Sequence, residues 1–194
     1  GGIGIIDESV RPPKIESYTT GNSDLSSNTI RTIIGDRDGT IWIATLSGGL
    51  VKYDGKTFKS YTSDNGLPGN NIRAVCFDKQ GRLWVGMQEA GLVLFDKQKG
   101  IPQAHYNKNS GLLNDNVWVI KEDTLGNLWI GVDGGISKFN PIDQKFINYS
   151  KKEGIECNFS TGILEEEGGI WISTFGGGLY FLDKNLPEGH NIKQ

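Results

Sequence analysis

Short runs of alternating apolar and polar residues, broken by glycine corners and acidic turns, fill this chain from end to end. The stretch from Asn70 to Asn107 serves as a template. Ile72 to Phe77 form a first apolar run, and Asp78-Lys79-Gln80-Gly81 follow as a turn. Aspartate suits a turn start because it bonds local backbone, and glycine supplies the positive φ that closes a hairpin. A second run, Arg82 to Gly86, carries Trp84, and an Ala90-Gly91 corner leads to a third, Leu92 to Asp96. A shorter fourth run includes Ala104-His105-Tyr106-Asn107. No segment keeps a helical period, so the unit is predicted to be four antiparallel strands.

The unit recurs. Trp42, Trp84, Trp129 and Trp171 sit in the phrases GTIWIATLSGGLVKYD, GRLWVGMQEAGLVLFD, GNLWIGVDGGISKFN and GGIWISTFGGGLYFLD. The turn returns as Asp36-Arg37-Asp38-Gly39 and Asp123-Thr124-Leu125-Gly126, and as Glu165-Glu166-Glu167-Gly168 in the last unit. Polar links containing Gly66-Leu67, Gly111-Leu112 and Gly154-Ile155 join one unit to the next. A repeat of this size cannot bury its own faces, so neighbours must stack. The fold class expected is all-β: a β-propeller fragment of about four four-stranded blades plus a partial N-terminal blade. The expected divisions are residues 1–20 for the last two strands of a preceding blade, then blades at 21–63, 64–108, 109–151 and 152–194. The tryptophans are expected to fill the gaps between blades, each contributing roughly 2–3 kcal/mol. The arc is expected to be open, with apolar end faces that invite self-association or docking of further blades.

Composition narrows the function. Lys and Arg number 20 against 23 Asp and Glu, a net charge of −3, which lacks the basic excess of a nucleic-acid footprint. No apolar run is long enough to span a bilayer, and no leader pattern opens the chain. The opening GGIGIID matches the middle of a repeat, so the chain is expected to begin inside a larger protein. Cys76 and Cys157 fall at different repeat positions and are expected to be free thiols.

Residues Asn28 to Leu67 carry the whole pattern in order: the D-x-x-G turn, the Trp-Ile-Ala core, the Gly-Gly corner, the Phe-x-x-Tyr-Thr run and the Gly-Leu link. This pattern resembles the regulator propeller repeat of two-component systems, and the resemblance covers essentially the entire chain. It implies a segment of a seven-bladed propeller, one of two in tandem, in the N-terminal sensor region of a hybrid two-component protein of the Bacteroidetes type. That region stands outside the inner membrane, on the periplasmic side. A β-sandwich, a membrane helix, a histidine kinase, a receiver and a DNA-binding module would follow it. Glycans and their oligosaccharide products are the ligands the resemblance implies, with no cofactor, no metal and no catalytic residue in this segment. This sequence departs from the pattern at Ala90, at Asn140, in a third unit one residue shorter before its corner, and at Gly162, where Ile33, Val75 and Ile120 stand elsewhere. An interior strand glycine predicts a bulge or a slip in the fourth unit.

In a propeller the first strands line the axis, and the loops leading into them share a face with the corners. The residue after the first apolar residue of that strand is Arg31, Arg73, Trp118 and Ser160 in successive units. Just before it stand Thr29, Asn71, Asn116 and Asn158, and the corners add Leu46-Ser47, Gln88-Glu89, Asp133 and Phe175. Arg31 and Arg73 suit a carboxylate or sulfate clamp, or serve as ordinary exposed arginines. Trp118 suits a platform for a sugar ring, or packing between blades. The asparagines offer amides to hydroxyl groups, or bond local backbone. Asp36 and Asp38 have too few companion oxygens for a calcium loop. His105 and His190 lack a matching nucleophile phrase, which leaves a catalytic triad unsupported. The function expected is non-catalytic sensing of an oligosaccharide; a protein-binding scaffold and a polysaccharide lyase or hydrolase are the alternatives.

Overall fold

The computed structural model describes residues 1–186 and 192–193. His190 and the expected strand end at Gln194 lie outside the described residues. Strands β1 (Ile3–Asp7) and β2 (Lys14–Tyr18) form a two-stranded ribbon. Four antiparallel four-stranded sheets follow. The first blade is β3 (Ile30–Gly35), β4 (Ile41–Thr45), β5 (Leu50–Tyr53) and β6 (Phe58–Tyr61). The second is β7 (Ile72–Phe77), β8 (Leu83–Met87), β9 (Gly91–Asp96) and β10 (Ile101–Tyr106). The third is β11 (Val117–Glu122), β12 (Leu128–Val132), β13 (Gly135–Asn140) and β14 (Lys145–Ser150). The fourth is β15 (Phe159–Glu166), β16 (Gly169–Phe175), β17 (Gly178–Asp183) and β18 (Ile192–Lys193). The first strands β3, β7, β11 and β15 touch in succession and form the inner edge of a propeller arc. Thr32 Oγ1 donates to the Arg73 carbonyl at 2.9 Å across the first such contact.

The core lies between the sheets. Side chains alternate across each strand, so a sheet sandwiched by two neighbours must be apolar on both faces. On β8, Leu83, Val85 and Met87 face the first blade, while Trp84 faces the third. On β12, Leu128, Ile130 and Val132 face back and Trp129 faces forward. Trp42, Trp84 and Trp129 each lie beside a tyrosine of their own blade, as in Trp42–Tyr61 at 5.9 Å and Trp129–Tyr149 at 6.0 Å between ring centroids. A third-strand residue of the following blade closes over each: Phe95 on Trp42 and Phe139 on Trp84, both edge-on at 5.8 Å. Leu182 takes that place in the layer around Trp129.

The turn aspartate fixes the indole. Asp123 Oδ1 accepts the Asn127 backbone N–H at 2.8 Å, and Oδ2 accepts Trp129 Nε1 at 2.9 Å. Asp78 repeats this with Arg82 N and Trp84 Nε1, both at 2.8 Å. In the first blade Lys97 draws Asp36 away at 2.5 Å, and Trp42 Nε1 is buried without a partner. Trp171 departs from the expected rhythm: it is 38% exposed, with no sheet over it among the described residues. With Ile163, Leu164 and Leu179 it lines an open apolar hollow of about 500 Å³.

Backbone contacts join the blades at the corners. Gly49 N donates to Asn70 O, Gly91 N to Asp115 O and Gly134 N to Asn158 O, at 2.8–2.9 Å. Gly49 holds φ at 78°, and a Cβ there would lie 2.1 Å from the Tyr61 carbonyl oxygen, so the corner requires glycine. The links, read from sequence only as polar, contain short 3₁₀ turns at Ser63–Asn65, Lys108–Ser110 and Lys151–Glu153. Thr62, Asn107 and Ser150 cap them with their side chains. Leu67, Leu112 and Ile155 then plug the layers between blades.

The fourth blade corrects the sequence register. Its hairpin turn holds only Glu167 and Gly168 between the paired Glu166 and Gly169, whereas Asp123 and Asn127 enclose three residues. Counting back from tryptophan therefore runs one residue off. Ile163, not Gly162, is the counterpart of Ile33, Val75 and Ile120. Ser160 is not the counterpart of Arg31, Arg73 and Trp118; that place belongs to Thr161. Asn158 leaves the Asn71–Asn116 series to Phe159, and joins Asn28 and Asn70, whose carbonyls accept a corner N–H. The bulge expected in this strand is present, but at the same place in all four blades.

Removing the Asp123 carboxylate strands the Trp129 indole N–H and the Asn127 N–H in a buried site. Asp123→Ala is expected to lower unfolding free energy in urea by about 2–3 kcal/mol. Burial pushes the Asp123 carboxyl up, but hydrogen bonds from Asn127 and Trp129 outweigh it, and the group titrates below the ordinary aspartate value. A depressed folded-state pKa confers stability that is complete above the unfolded value, about 3.9, and is lost as pH falls through the folded value. Urea midpoints followed down from about pH 6 to about pH 2 should drop further in the wild type than in Asp123→Asn. Equal drops would remove Asp123 from the acid response.

Candidate functional site

The corner face carries the variable residues, and the bulges present them. Each first strand skips one residue of register against its partner, between Ile30 and Thr32, Ile72 and Ala74, Val117 and Val119, and Ser160 and Gly162. The skipped residues are Arg31, Arg73, Trp118 and Thr161. A bulge leaves its extra residue out of the ladder and re-aims its side chain. Four such residues therefore stand at the mouth of the arc on a frame that holds its own backbone fixed.

Three blades meet there in one stack. The Arg73 guanidinium carbon lies 3.6 Å from the Trp118 ring centroid. On the indole's other face Phe159 stacks at 4.0 Å and 12°. Phe175 continues the column from Phe159 at 4.9 Å and 9°. Planar groups at these spacings gain dispersion and cation–π attraction. The stack ends in the ring of Phe175, which is 59% exposed. Both faces of Trp118 are thus occupied. Of the two roles the sequence left open for it, the structure shows packing between blades, and the accessible aromatic surface is that of Phe175.

Hydrogen bonds lock the column. Trp118 Nε1 donates to Asp133 Oδ1 at 2.6 Å, and Asn116 Nδ2 donates to Asp133 Oδ2 at 2.6 Å. Gln88 Oε1 accepts from an Arg73 terminal nitrogen at 2.6 Å. The shortened third-blade corner brings Asp133 to this position. In the first and second corners, Ser47 (φ 66°) and Glu89 (φ 62°) take left-handed backbone, and their N–H groups donate to Asn71 Oδ1 at 2.9 Å and Asn116 Oδ1 at 2.8 Å. These amides compensate strain in the preceding blade. Asn71 accordingly serves the corner, and Asn158 stands exposed beside Gly176. Arg31 is exposed on the neighbouring inner strand. So six of the residues singled out from sequence, Arg73, Gln88, Asn116, Trp118, Asp133 and Phe175, share one cluster. Phe159 and Thr161 were missed through the shift in the last blade.

Elsewhere, carboxylates are committed to structure. Asp36 meets Lys97 and the Arg37 N–H, and Asp38 meets the Thr40 N–H. Glu122 Oε2 accepts the Lys79 N–H of the preceding blade, and Glu165 accepts from Thr124 in the same way. His105 Nε2 lies 2.7 Å from the Ala90 carbonyl oxygen. Cys76 and Cys157 are both free thiols.

A blade arc with constant inter-sheet layers and variable corner-face residues defines a β-propeller segment. Three of its repeats match the two component regulator propeller family, at residues 24–47, 66–89 and 111–134. The matches fall on the first three blades; the fourth carries the shortened turn. The chain is similar to the extracellular domain of the hybrid two component system BT3049 of B. thetaiotaomicron, with 26% identity and a TM-score of 0.82 over 95% of this chain and 25% of that one. It is likewise similar to the extracellular domain of the one component system BT4673 of the same organism, with 25% identity and a TM-score of 0.76 over 95% of this chain and 28% of that one. The chain thus spans about a quarter of those domains. Virginiamycin B lyase of Staphylococcus aureus shares the fold, with a TM-score of 0.70 at 14% identity over 99% of this chain and 61% of that one. No curated protein matches the sequence. The chain thus carries two component regulator propeller repeats in the fold of those extracellular domains.

Cutting the column at its middle tests its part in joining blades. Trp118→Ala is expected to lower unfolding free energy by about 2–3 kcal/mol in urea titration. Trp118→Phe, which keeps a stacking ring but loses the bond to Asp133, should lose about half as much.

Proposed function

We propose that this segment senses an oligosaccharide at its corner face and contributes no catalysis. One observation carries the reading: a hydrogen-bonded column of planar groups ends in the exposed ring of Phe175, with the exposed Asn158 bonded to the Phe175 backbone beside it. Sugar rings present a patch of C–H groups on one face and hydroxyls around the rim. An exposed aromatic ring bordered by an amide is suited to both. Ligand binding would favour one arrangement of paired sensor domains and so bias a kinase in the longer protein; only differential affinity for the two arrangements transmits a signal. The hollow around Trp171 has the composition that Trp42, Trp84 and Trp129 show beneath a following sheet. A further blade, or a second copy of the chain, is the partner it suits.

Calorimetry against a panel of neutral and acidic oligosaccharides tests the proposal. Phe175→Ala should weaken the best ligand by roughly 10- to 100-fold, about 1.4–2.8 kcal/mol, while leaving the urea midpoint near that of the wild type. Binding that survives this change at full affinity would move the site off the stack. A polysaccharide cleaved by the protein would replace sensing with an enzymatic reading.

A further inference from the structure

The opposite end of the column has a chemistry that Phe175 lacks. Arg73 is held on one face by Trp118 and at one terminal nitrogen by Gln88, while its Nε is buried with no hydrogen-bond partner. No carboxylate forms an ion pair with it, or with Arg31, among the described residues. The nearest acid on this face, Asp133, spends both oxygens on Trp118 and Asn116. Burial and then the positive field of Arg31 lower the Arg73 pKa, which places the two guanidinium groups within electrostatic reach of each other. A guanidinium stays charged at physiological pH, so two like charges stand together with no ion-paired carboxylate, and Asp133 offsets their repulsion only through its more distant field. Both come from bulges, on strands joined by the Thr32–Arg73 hydrogen bond.

We propose that Arg31 and Arg73 form an oxyanion subsite at the mouth of the arc, which takes a sulfate ester or carboxylate on the ligand. This deepens the oligosaccharide reading and rests on it for the ligand's identity, though not for the presence of the anion site. The fork of Arg73 is pre-oriented by stacking, so little side-chain freedom remains to be lost on binding. Arg31, exposed and unpaired, closes on the anion from the neighbouring blade. An anion there supplies a directly paired counter-charge and relieves the repulsion between the arginines. Specificity then comes from both ends of one rigid ruler: a ring at Phe175 and a negative group at Arg73.

Inorganic sulfate and acetate, titrated into the ¹⁵N-labelled chain at low ionic strength, probe the subsite directly through the indole N–H signal of Trp118, assigned with Trp118→Phe. Saturable shifts are expected with either anion, and at least 10-fold weaker binding in Arg31→Gln and in Arg73→Lys, which keeps the charge and loses the planar fork. The ratio of the two affinities tells a sulfate site from a carboxylate site. No shift with either anion, or shifts unchanged by Arg31→Gln, would overturn the proposal. Calorimetry with a neutral oligosaccharide and its sulfated or uronate counterpart separates the two readings. Neutral ligand bound as well as both acidic ones would sink the anion site and keep the sensor. Sulfate bound through Arg31 with no saccharide bound at all would keep the anion site and sink the oligosaccharide.

Discussion

An indole must be covered by the next sheet, and this requirement organises the chain. Every blade is apolar on both faces, so no blade is a folded object by itself. Trp42, Trp84 and Trp129 each bridge a gap, resting on a tyrosine of their own blade and roofed by Phe95, Phe139 or Leu182 of the following one. The turn aspartate makes the bridge directional. Through Asp78 and Asp123 the same carboxylate that closes the hairpin also takes the indole N–H, so a correct turn forces a correct side-chain pose. Trp42 shows that the packing survives without the bond when Lys97 takes the aspartate, and Trp171 shows what the indole does without a roof.

A frame fixed in this way lets the corner face vary. The bulge in each first strand sets its extra residue outside the ladder, where its side chain is released from the strand's own alternation. Arg31, Arg73, Trp118 and Thr161 differ in charge, size and shape, yet occupy one structural position. The third corner, one residue shorter, brings Asp133 beneath Trp118 and aligns a column that runs through three blades. Such a column is stiff, and any ligand that contacts its ends acts on several blades together. Under the proposed sensing role, binding at either end would be felt by a body and not by one loop.

The strands, blade count and gap-filling tryptophans were legible because they rest on strong local signals: alternation, Gly corners and a repeated Trp phrase. The common face of Arg73, Gln88, Asn116, Trp118, Asp133 and Phe175 was legible too, since these residues occupy repeat positions that vary against a constant background. The fourth blade was misread by one residue because its turn lost a residue on the far side of the strand, and tryptophan spacing carries no record of which side shortened. The cue lay in Ser160, Thr161 and Gly162: an alignment placing Ile163 with Ile120 needs a two-residue turn at Glu167-Gly168, which glycine permits. The bond from Asp123 to Trp129 was implicit in their spacing but demanded a hairpin geometry that the residue types alone do not state. The stack was beyond sequence, because Arg73, Trp118 and Phe159 lie on three different sheets.

Hydrogen exchange at the indole nitrogens tests the interlocked-blade account most directly, since it reads cover and hydrogen bonding at the same atom. The Trp84 and Trp129 indole protons should exchange only through global opening of the chain, slowed by several orders of magnitude, while that of Trp171 exchanges within the fast limit for an open surface. Fast exchange at Trp129, on the timescale of Trp171, would contradict the claim that each blade is held by the one that follows it.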